Sequence, residues 1–344
     1  MSGFGGPEVL DLTEVAVPDV GPHEVLVEVE AVGVNRIDLA TMRREGLAHG
    51  VQLGHVPGID PAGTVVEVGD SVIDRRVGER VVVRPVIACG TCVWCTDGHD
   101  DSCDSLAYVG VHRPGGFAEF VAVPSDNAHP IPEALTFAEA AAFSHSFPVA
   151  LQMLRERAQV GEGDTVLVTG AAGAVGVAAV QMAKHLGARV IAAAGSSVRA
   201  ERCLGFGADL AIDYGSRPRF AEEVRDFAPT GVSACIETTG APHLWEQVVS
   251  TMGKRGQIVV CGAHVGGQVA LDLFWLFRTR VSITGSAAST RAAFVNALAT
   301  FSEQGMIAPV HCVVPLAEFH RAFDLLGNRD RVGKVVLGMV RTSA

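Results

Sequence analysis

Val166-Leu167-Val168-Thr169-Gly170-Ala171-Ala172-Gly173-Ala174-Val175-Gly176 is an apolar β-type run that enters a glycine turn and leaves it on an apolar helical pattern. Such a strand–turn–helix passage opens a dinucleotide-binding unit. The turn reads Ala171-x-Gly173-x-x-Gly176, so an alanine stands at the first glycine position of the G-x-G-x-x-G pattern. Gly173 lets the backbone approach a pyrophosphate, and Gly176 lets the helix pack closely on the strand. The free N–H groups of the helix start, at Ala174 and Val175, then face the phosphates. Taken alone, the turn also fits an ordinary glycine turn of an α/β domain.

The surroundings extend the pattern. Val166–Thr169, Arg189–Ala194, Leu210–Ile212, Val232–Glu237 and Ile258–Cys261 read as strands with helical segments between them, and Phe137–Phe143 and Val149–Ala158 read as helices. That alternation predicts a doubly wound parallel sheet, an α/β Rossmann domain over residues 136–285. Residues 1–135 read mostly as β: Glu24–Val34 alternates, Thr64–Val68 and Arg80–Val83 are short β-branched runs, and Phe117–Val123 follows a Pro114-Gly115-Gly116 turn. Residues 286–344 carry helical patterns at Arg291–Phe301 and Leu316–Leu326 and a last strand, Lys334–Leu337. They are expected to return to the β-rich domain.

Cys89-x2-Cys92-x2-Cys95-x7-Cys103 places four thiols on one short stretch. Steps of this length let thiolates converge on one tetrahedral ion, and four sulfurs close its shell, so the expected metal is one structural Zn²⁺. An iron–sulfur site, a redox pair and a chance cluster are the rival readings. The other cysteines, Cys203, Cys235, Cys261 and Cys312, sit in apolar contexts and read as packing.

Bulk properties narrow the function classes. The net charge is −11 with no Lys/Arg run, so the electrostatic footprint of a nucleic-acid or membrane-surface protein is missing. No apolar run approaches the ~18 residues of a membrane span. A basic segment followed by an apolar one does not appear after Met1, and the reading expects a cytoplasmic location with reduced thiols.

The cysteine lobe followed by an A-x-G-x-x-G domain resembles the medium-chain dehydrogenase/reductase superfamily over essentially the whole chain. The resemblance is carried by Gly33-Val34-Asn35-Arg36-Ile37-Asp38, Pro57-Gly58-Ile59-Asp60-Pro61-Ala62-Gly63, Gly116–Phe120, the glycine turn and Gly333-Lys334-Val335-Val336-Leu337. It implies a GroES-like catalytic domain enclosing the Rossmann domain, a small-molecule substrate, and a homodimer or homotetramer often joined through the nucleotide-domain sheet. In the zinc alcohol dehydrogenases of that superfamily the first stretch carries a Cys ligand and a hydroxyl relay, and the second a His ligand. Here those positions hold Asn35, Ile37 and Ile59, and no Cys falls near Ala142–Ser144. The Asn-x-x-Asp of Asn35 and Asp38 resembles instead the zinc-independent quinone oxidoreductases and enoyl reductases. This implies hydride transfer to a quinone or α,β-unsaturated carbonyl without catalytic zinc.

The catalytic candidates are accordingly Asn35 as a donor to enolate-like charge, Asp38 and Asp60 as surviving carboxylates, and His145 as a proton donor. His55, His112, Tyr108 and Arg36 are weaker candidates. No acid closes the second strand, where an NAD-selective sheet places one, and Ser196 and Arg199 follow it, which points to NADPH over NADH. Ser196 also reads as a helix cap. The resemblance adds Tyr214 beside the same phosphate, Gly240, Gly262 and Ala263 at the ribose and nicotinamide, and Lys334 near the cofactor. The competing hypotheses are an alcohol dehydrogenase with an unusual zinc on His55, Asp38 and Asp60, and an NADPH-binding protein without turnover.

Overall fold

Two large sheets and one two-stranded sheet make up the described residues, and the chain passes from one large sheet to the other and back. A computed structural model describes residues 1–217, 219–263, 266–328 and 330–339. In chain order, β1 (Glu24–Val34), α1 (Arg36–Arg43), β2 (Asp60–Val68), β3 (Arg80–Val83), β4 (Val86–Ile87), α2 (Val93–Thr96), β5 (Ala107–Tyr108), β6 (Phe120–Pro124) and β7 (Ala128–Pro130) form the N-terminal part. Then come α3 (Phe137–Phe143), α4 (Ser146–Gln152), β8 (Thr165–Thr169), α5 (Ala174–His185), β9 (Arg189–Ala194), α6 (Ser197–Leu204), β10 (Leu210–Asp213) and α7 (Ala221–Phe227). The remainder is β11 (Val232–Glu237), α8 (Pro242–Thr251), β12 (Met252–Val260), α9 (Leu273–Thr279), β13 (Ser282–Gly285), α10 (Arg291–Glu303), β14 (Val310–Pro315), α11 (Phe319–Leu326) and β15 (Lys334–Gly338).

The parallel sheet runs β10-β9-β8-β11-β12-β13, so the order reverses between β8 and β11 and opens a crevice there. Its strands are nearly continuous apolar runs because helices cover both faces: Val166, Val168 and Val190 pack on α5, while Leu167, Ile191 and Ile212 pack toward α7 and α8. The other sheet runs β14-β15-β1-β2-β3-β7, with β6 also on β1. β14 and β15 thus come back from the far end of the chain to join β1, with Gly33 opposite Val336. The long β1 curls through two register shifts against β2, and at one of them Gly63 lies so close to Glu28 that a Cβ would come within 1.9 Å of its carbonyl oxygen.

α3 joins the halves. Thr136 caps it reciprocally with Glu139, and its Ala140–Phe143 face is buried with Ala31, Ala62 and Val82 of one sheet and Val166 and Val168 of the other. Three elements differ from expectation. β6 starts at Phe120 because Gly115, Gly116 and Phe117 donate their N–H groups across to Val56, Gly58 and Pro57. The helix expected at Val149–Ala158 starts at Ser146 and ends in a π-helical turn, Met153–Arg157. The strand expected at Ile258–Cys261 begins at Met252. No described helix is long and apolar enough to cross a membrane.

Candidate functional site

At the crevice, Gly170 adopts φ +60°, and the Ala171 N–H bonds to Ala193 O at 3.0 Å, clamping the turn onto β9. Gly173 caps α5 without any side-chain acceptor, which leaves the N–H groups of Ala174, Val175 and Gly176 directed outward from the first turn. A Cβ on Gly176 would lie 2.3 Å from Gly170 O, so glycine is what allows α5 to start this close to the turn. Opposite, Glu237 ends β11 as a buried carboxylate that accepts from Thr169 Oγ1 (2.9 Å), Thr239 N (3.0 Å) and Gly240 N (2.8 Å). These bonds fix the Gly240 turn, which lies backbone to backbone with Ala263 beyond Gly262. Sequence reasoning missed Glu237; its signal is an acid closing an otherwise apolar strand.

The C-terminal return reaches the same turn, with the Gly333 N–H donating to Ala172 O at 2.9 Å. Beside it, Arg331 is buried and donates to the Gly333 carbonyl. Burial, then the charges of Arg199 and Arg36, push its guanidinium down to about 10. The Nε groups of Arg331 and Arg199 are both buried without a partner among the described residues. Unpaired buried donors carry a cost that an anion removes. Three clustered guanidiniums beside an uncapped helix start therefore fit the pyrophosphate of a dinucleotide. Arg331 was not read from the sequence, where it stands as an isolated cation before Gly333-Lys334.

Where β1, β2 and β15 meet, four of the sequence candidates converge. Lys334 Nζ donates to Asn35 Oδ1 and to Asp60 Oδ2, each at 2.5 Å. Asn35 Nδ2 donates to Asp60 Oδ2 at 2.9 Å and to Gly33 O at 3.2 Å. Asp38 Oδ2 accepts from the Asn35 N–H at 2.7 Å and caps α1. Asp38, Asp60 and Lys334 are all buried. Burial, aided by the charge of Asp60, raises Asp38 to about 7. In place of the free donor expected of Asn35, both ends of its amide are engaged inside this group. Ile59 is fully buried in an apolar cluster with Ala48, Val51, Val86, Tyr108, Val111 and Ala288. His145 caps α4, next to Ser144, whose Oγ donates to Val83 O at 2.7 Å; it lies at the α3–α4 junction.

The cysteine lobe is a separate centre. The Sγ atoms of Cys89, Cys92, Cys95 and Cys103 all lie within 4.8 Å of one another, with Cys89 to Cys95 at 3.9 Å and Cys92 to Cys95 at 3.5 Å. A tetrahedron with ~2.3 Å metal–sulfur bonds has edges of about 3.8 Å. The Cys89 N–H donates to Cys103 Sγ and the Cys92 N–H to Cys89 Sγ, and such bonds from Thr91 and Cys92 lower the Cys89 thiol to about 6. The donor set thus fits a structural zinc. Among the described residues this is the one group of three or more His, Cys, Asp or Glu side chains whose ligand atoms converge. His55, Asp38 and Asp60 do not converge, which removes the unusual-zinc alternative: His55 turns Nε2 to Gly110 O at 3.0 Å. The lobe is tied inward by Asp100, which meets Arg84 Nη2 at 2.7 Å and accepts from the Arg291 N–H at 2.9 Å, and by Asp101, which accepts from Gln152 at 2.7 Å.

Comparison with known proteins bears on both centres. Residues 21–133 match the family described as "Alcohol dehydrogenase GroES-like domain" and residues 174–303 match "Zinc-binding dehydrogenase". An L-threonine 3-dehydrogenase from Sinorhizobium medicae is 34% identical over 265 residues, 76% of each chain. An NAD-dependent alcohol dehydrogenase from Saccharolobus solfataricus is 29% identical over 95% of this chain and 96% of its own length. A crystal structure of an NAD-dependent alcohol dehydrogenase superposes with a TM-score of 0.94 at 36% identity, covering 98% of both chains. These NAD-named relatives overturn the expectation of NADPH. The geometry explains the misreading: the Ser196 hydroxyl caps α6 by accepting from the Arg199 N–H at 3.4 Å, and the Arg199 charge is grouped with Arg331 and Arg36. Tyr214 flanks Gly195, with its ring 3.3 Å from where a Cβ would stand.

Proposed function

Because the chain belongs to the zinc-binding dehydrogenase family with an alcohol dehydrogenase GroES-like domain, and is accordingly an NAD(P)H-dependent oxidoreductase without the catalytic-zinc ligands of its relatives, we propose that it is an NADH-dependent reductase of quinones or α,β-unsaturated carbonyl compounds. One observation carries this reading. At the positions where the zinc alcohol dehydrogenases hold ligands stand Asn35 and the buried Ile59, and the Lys334 ammonium is bonded to Asn35 and Asp60. Such a donor set suits a buried cation, not a three-ligand zinc.

A nicotinamide bound at the crevice would supply the hydride that the acceptor's β-carbon takes up. The chain's own residues do the rest. The α5 start and Arg36, Arg199 and Arg331 would hold its pyrophosphate. Gly240, Gly262 and Ala263 would receive its ribose and nicotinamide. Lys334, held by Asn35 and Asp60, keeps a positive charge beside the place where the carbonyl oxygen gains charge, and His145 returns a proton to the α-carbon of the enolate. The apolar layer of Ile59, Val51 and Val111 excludes water behind the acceptor.

The open edge of β13 and the exposed Leu273, Phe274 and Phe277 of α9 support a homodimer joined through the nucleotide-domain sheet. Reduced thiols at every cysteine fit a cytoplasmic location. The test is NADH oxidation with a panel of quinones, enones and saturated ketones. Turnover on conjugated acceptors supports the reading, and none across the panel refutes it. The names of the relatives favour a second reading, oxidation of an alcohol by NAD⁺, whose hydride would exchange with the carbonyl carbon instead.

A further inference from the structure

A cleft of about 390 Å³ opens beside the Ile59 layer, lined by Leu47, Val51, Leu53, His55, Val111 and His112 among others. Val51 and Val111 belong to the same apolar cluster as Ile59, the residue that precedes the Asp60 bonded to Lys334. Its two imidazoles come from loops that cannot drift apart. A Cβ on Gly110 would meet the Gly58 backbone at 2.7 Å, and the Gly115 N–H donates to Val56 O at 2.8 Å.

Those loops also fix the proton on each ring. His55 Nε2 faces the Gly110 carbonyl at 3.0 Å. A carbonyl only accepts, so Nε2 carries the hydrogen, and Nδ1 is left as an acceptor. His112 Nδ1 faces the Tyr108 N–H at 3.1 Å. That N–H only donates, so Nδ1 is an acceptor, the ring is neutral, and Nε2–H is left as a donor. Burial, and the Met1 ammonium that donates to the His55 carbonyl at 3.1 Å, hold His55 toward its neutral form. One acceptor and one donor imidazole thus line a cleft whose other side chains are the apolar Leu47, Val51, Leu53 and Val111 and the amide of Gln52, which donates to Gly50 O at 3.0 Å.

We propose that His55 and His112 are specificity residues that read a neutral group bearing both a donor and an acceptor, a carboxamide, on the distal end of the acceptor molecule. An amide N–H meets the His55 Nδ1 lone pair and the amide C=O meets His112 Nε2–H. A carboxylate would face that lone pair and is disfavoured. This rests on the reading of the cleft as the acceptor site, and the test separates the two claims.

The probes are benzylideneacetone with a para-carboxamide and with a para-isopropyl group, which have similar shapes. Their affinities are measured by calorimetry on the zinc-loaded protein saturated with NAD⁺, where no hydride can move. Two variants keep the bonds that build the loops. His55→Gln retains a donor toward Gly110 O, and His112→Asn retains an acceptor for the Tyr108 N–H. The wild type is expected to bind the carboxamide about tenfold more tightly than the isopropyl probe, the yield of two modest hydrogen bonds. Each variant should reduce that preference to about threefold or less. Equal affinities in the wild type, no binding of either probe, or a preference that survives both substitutions overturns the proposal. A binding preference without reduction by NADH would retain the His pair and refute the enone reductase.

Discussion

Lys334 is joined to Asn35 across 299 positions of sequence and to Asp60 across 274, and no spacing rule links such residues. The resemblance brought Asn35, Asp38, Asp60 and Lys334 forward one at a time. What it did not carry is that the Asn35 amide turns inward, because side-chain direction follows from the return of β15 beside β1. The pairing predicts a specific mutational pattern. Lys334→Met leaves Asp60 buried without its cation and should cost about 3–5 kcal/mol of stability. The double variant Lys334→Met with Asp60→Asn should recover most of it, since neither charge is then left alone. Chemical denaturation of both variants checks this, and equal losses would contradict the pairing. Asp38 makes a second prediction. It is buried against Asp60 and Lys334 and receives N–H groups from Asn35 and Gly58. Its pKa is about 7 in the fold against 3.8 in the unfolded chain, so the folded state holds the extra proton between those values. Stability from this group is therefore present below about pH 4 and lost as the pH rises through 7. Asp38→Asn keeps a side-chain acceptor for the Asn35 N–H and removes this dependence. Its Tm relative to wild type should rise from pH 5 and level off above about pH 7, and a constant difference would refute the assignment.

Secondary elements were legible where periodicity and turn chemistry agreed. β1, β9 and β11 fall where the alternating or continuous apolar runs place them, and the glycine turn between β8 and α5 reads directly from Gly173 and Gly176. Met252–Gln257 was missed as strand because Gly253, Lys254, Arg255 and Gly256 carry no apolar pattern; its pairing with β11 and β13 is tertiary. The cysteine lobe was legible as a metal site but not as a brace. Asp100 and Asp101 follow α2 closely, and they hold Arg84, Gln152 and the start of α10, where the Arg291 N–H donates to Asp100 and the Thr290 N–H to Gln152 Oε1 at 2.7 Å. Arg84 is fully buried, and its Nε and Nη1 have no partner among the described residues, so it depends on Asp100 and the Ser289 carbonyl. Cys103→Ser should lower the zinc content from one per chain to near zero. It should also raise hydrogen exchange at the Thr290 and Arg291 amides while those inside β8 stay protected. Unchanged exchange at α10 would mean that the lobe folds independently of it.

The described residues form two large sheets that share α3, with the crevice between β8 and β11 on one and the His55–His112 cleft on the other. Its fold was readable because the glycine turn, the four thiols and the Gly333–Leu337 strand each constrain a different part of the chain. The nicotinamide preference was not, because Ser196 and Arg199 serve the helix cap and the arginine cluster. Assembly is a property of this scale: Leu273, Phe274 and Phe277 are 68%, 64% and 63% exposed on α9, next to the free edge of β13. Sedimentation should find a dimer or a larger even-numbered assembly, and Phe274→Glu with Phe277→Glu should yield monomers. A monomeric wild type would contradict the edge-to-edge arrangement. The central claim is that hydride reaches a conjugated carbon at a site whose charge is Lys334 rather than a catalytic zinc. The most direct measurement incubates protein carrying one zinc per chain with benzylideneacetone and NADH deuterated at the transferred C4 position, then locates the label by NMR. Deuterium on the β-carbon of the saturated ketone is the predicted result; deuterium on the carbinol carbon of the allylic alcohol would contradict it.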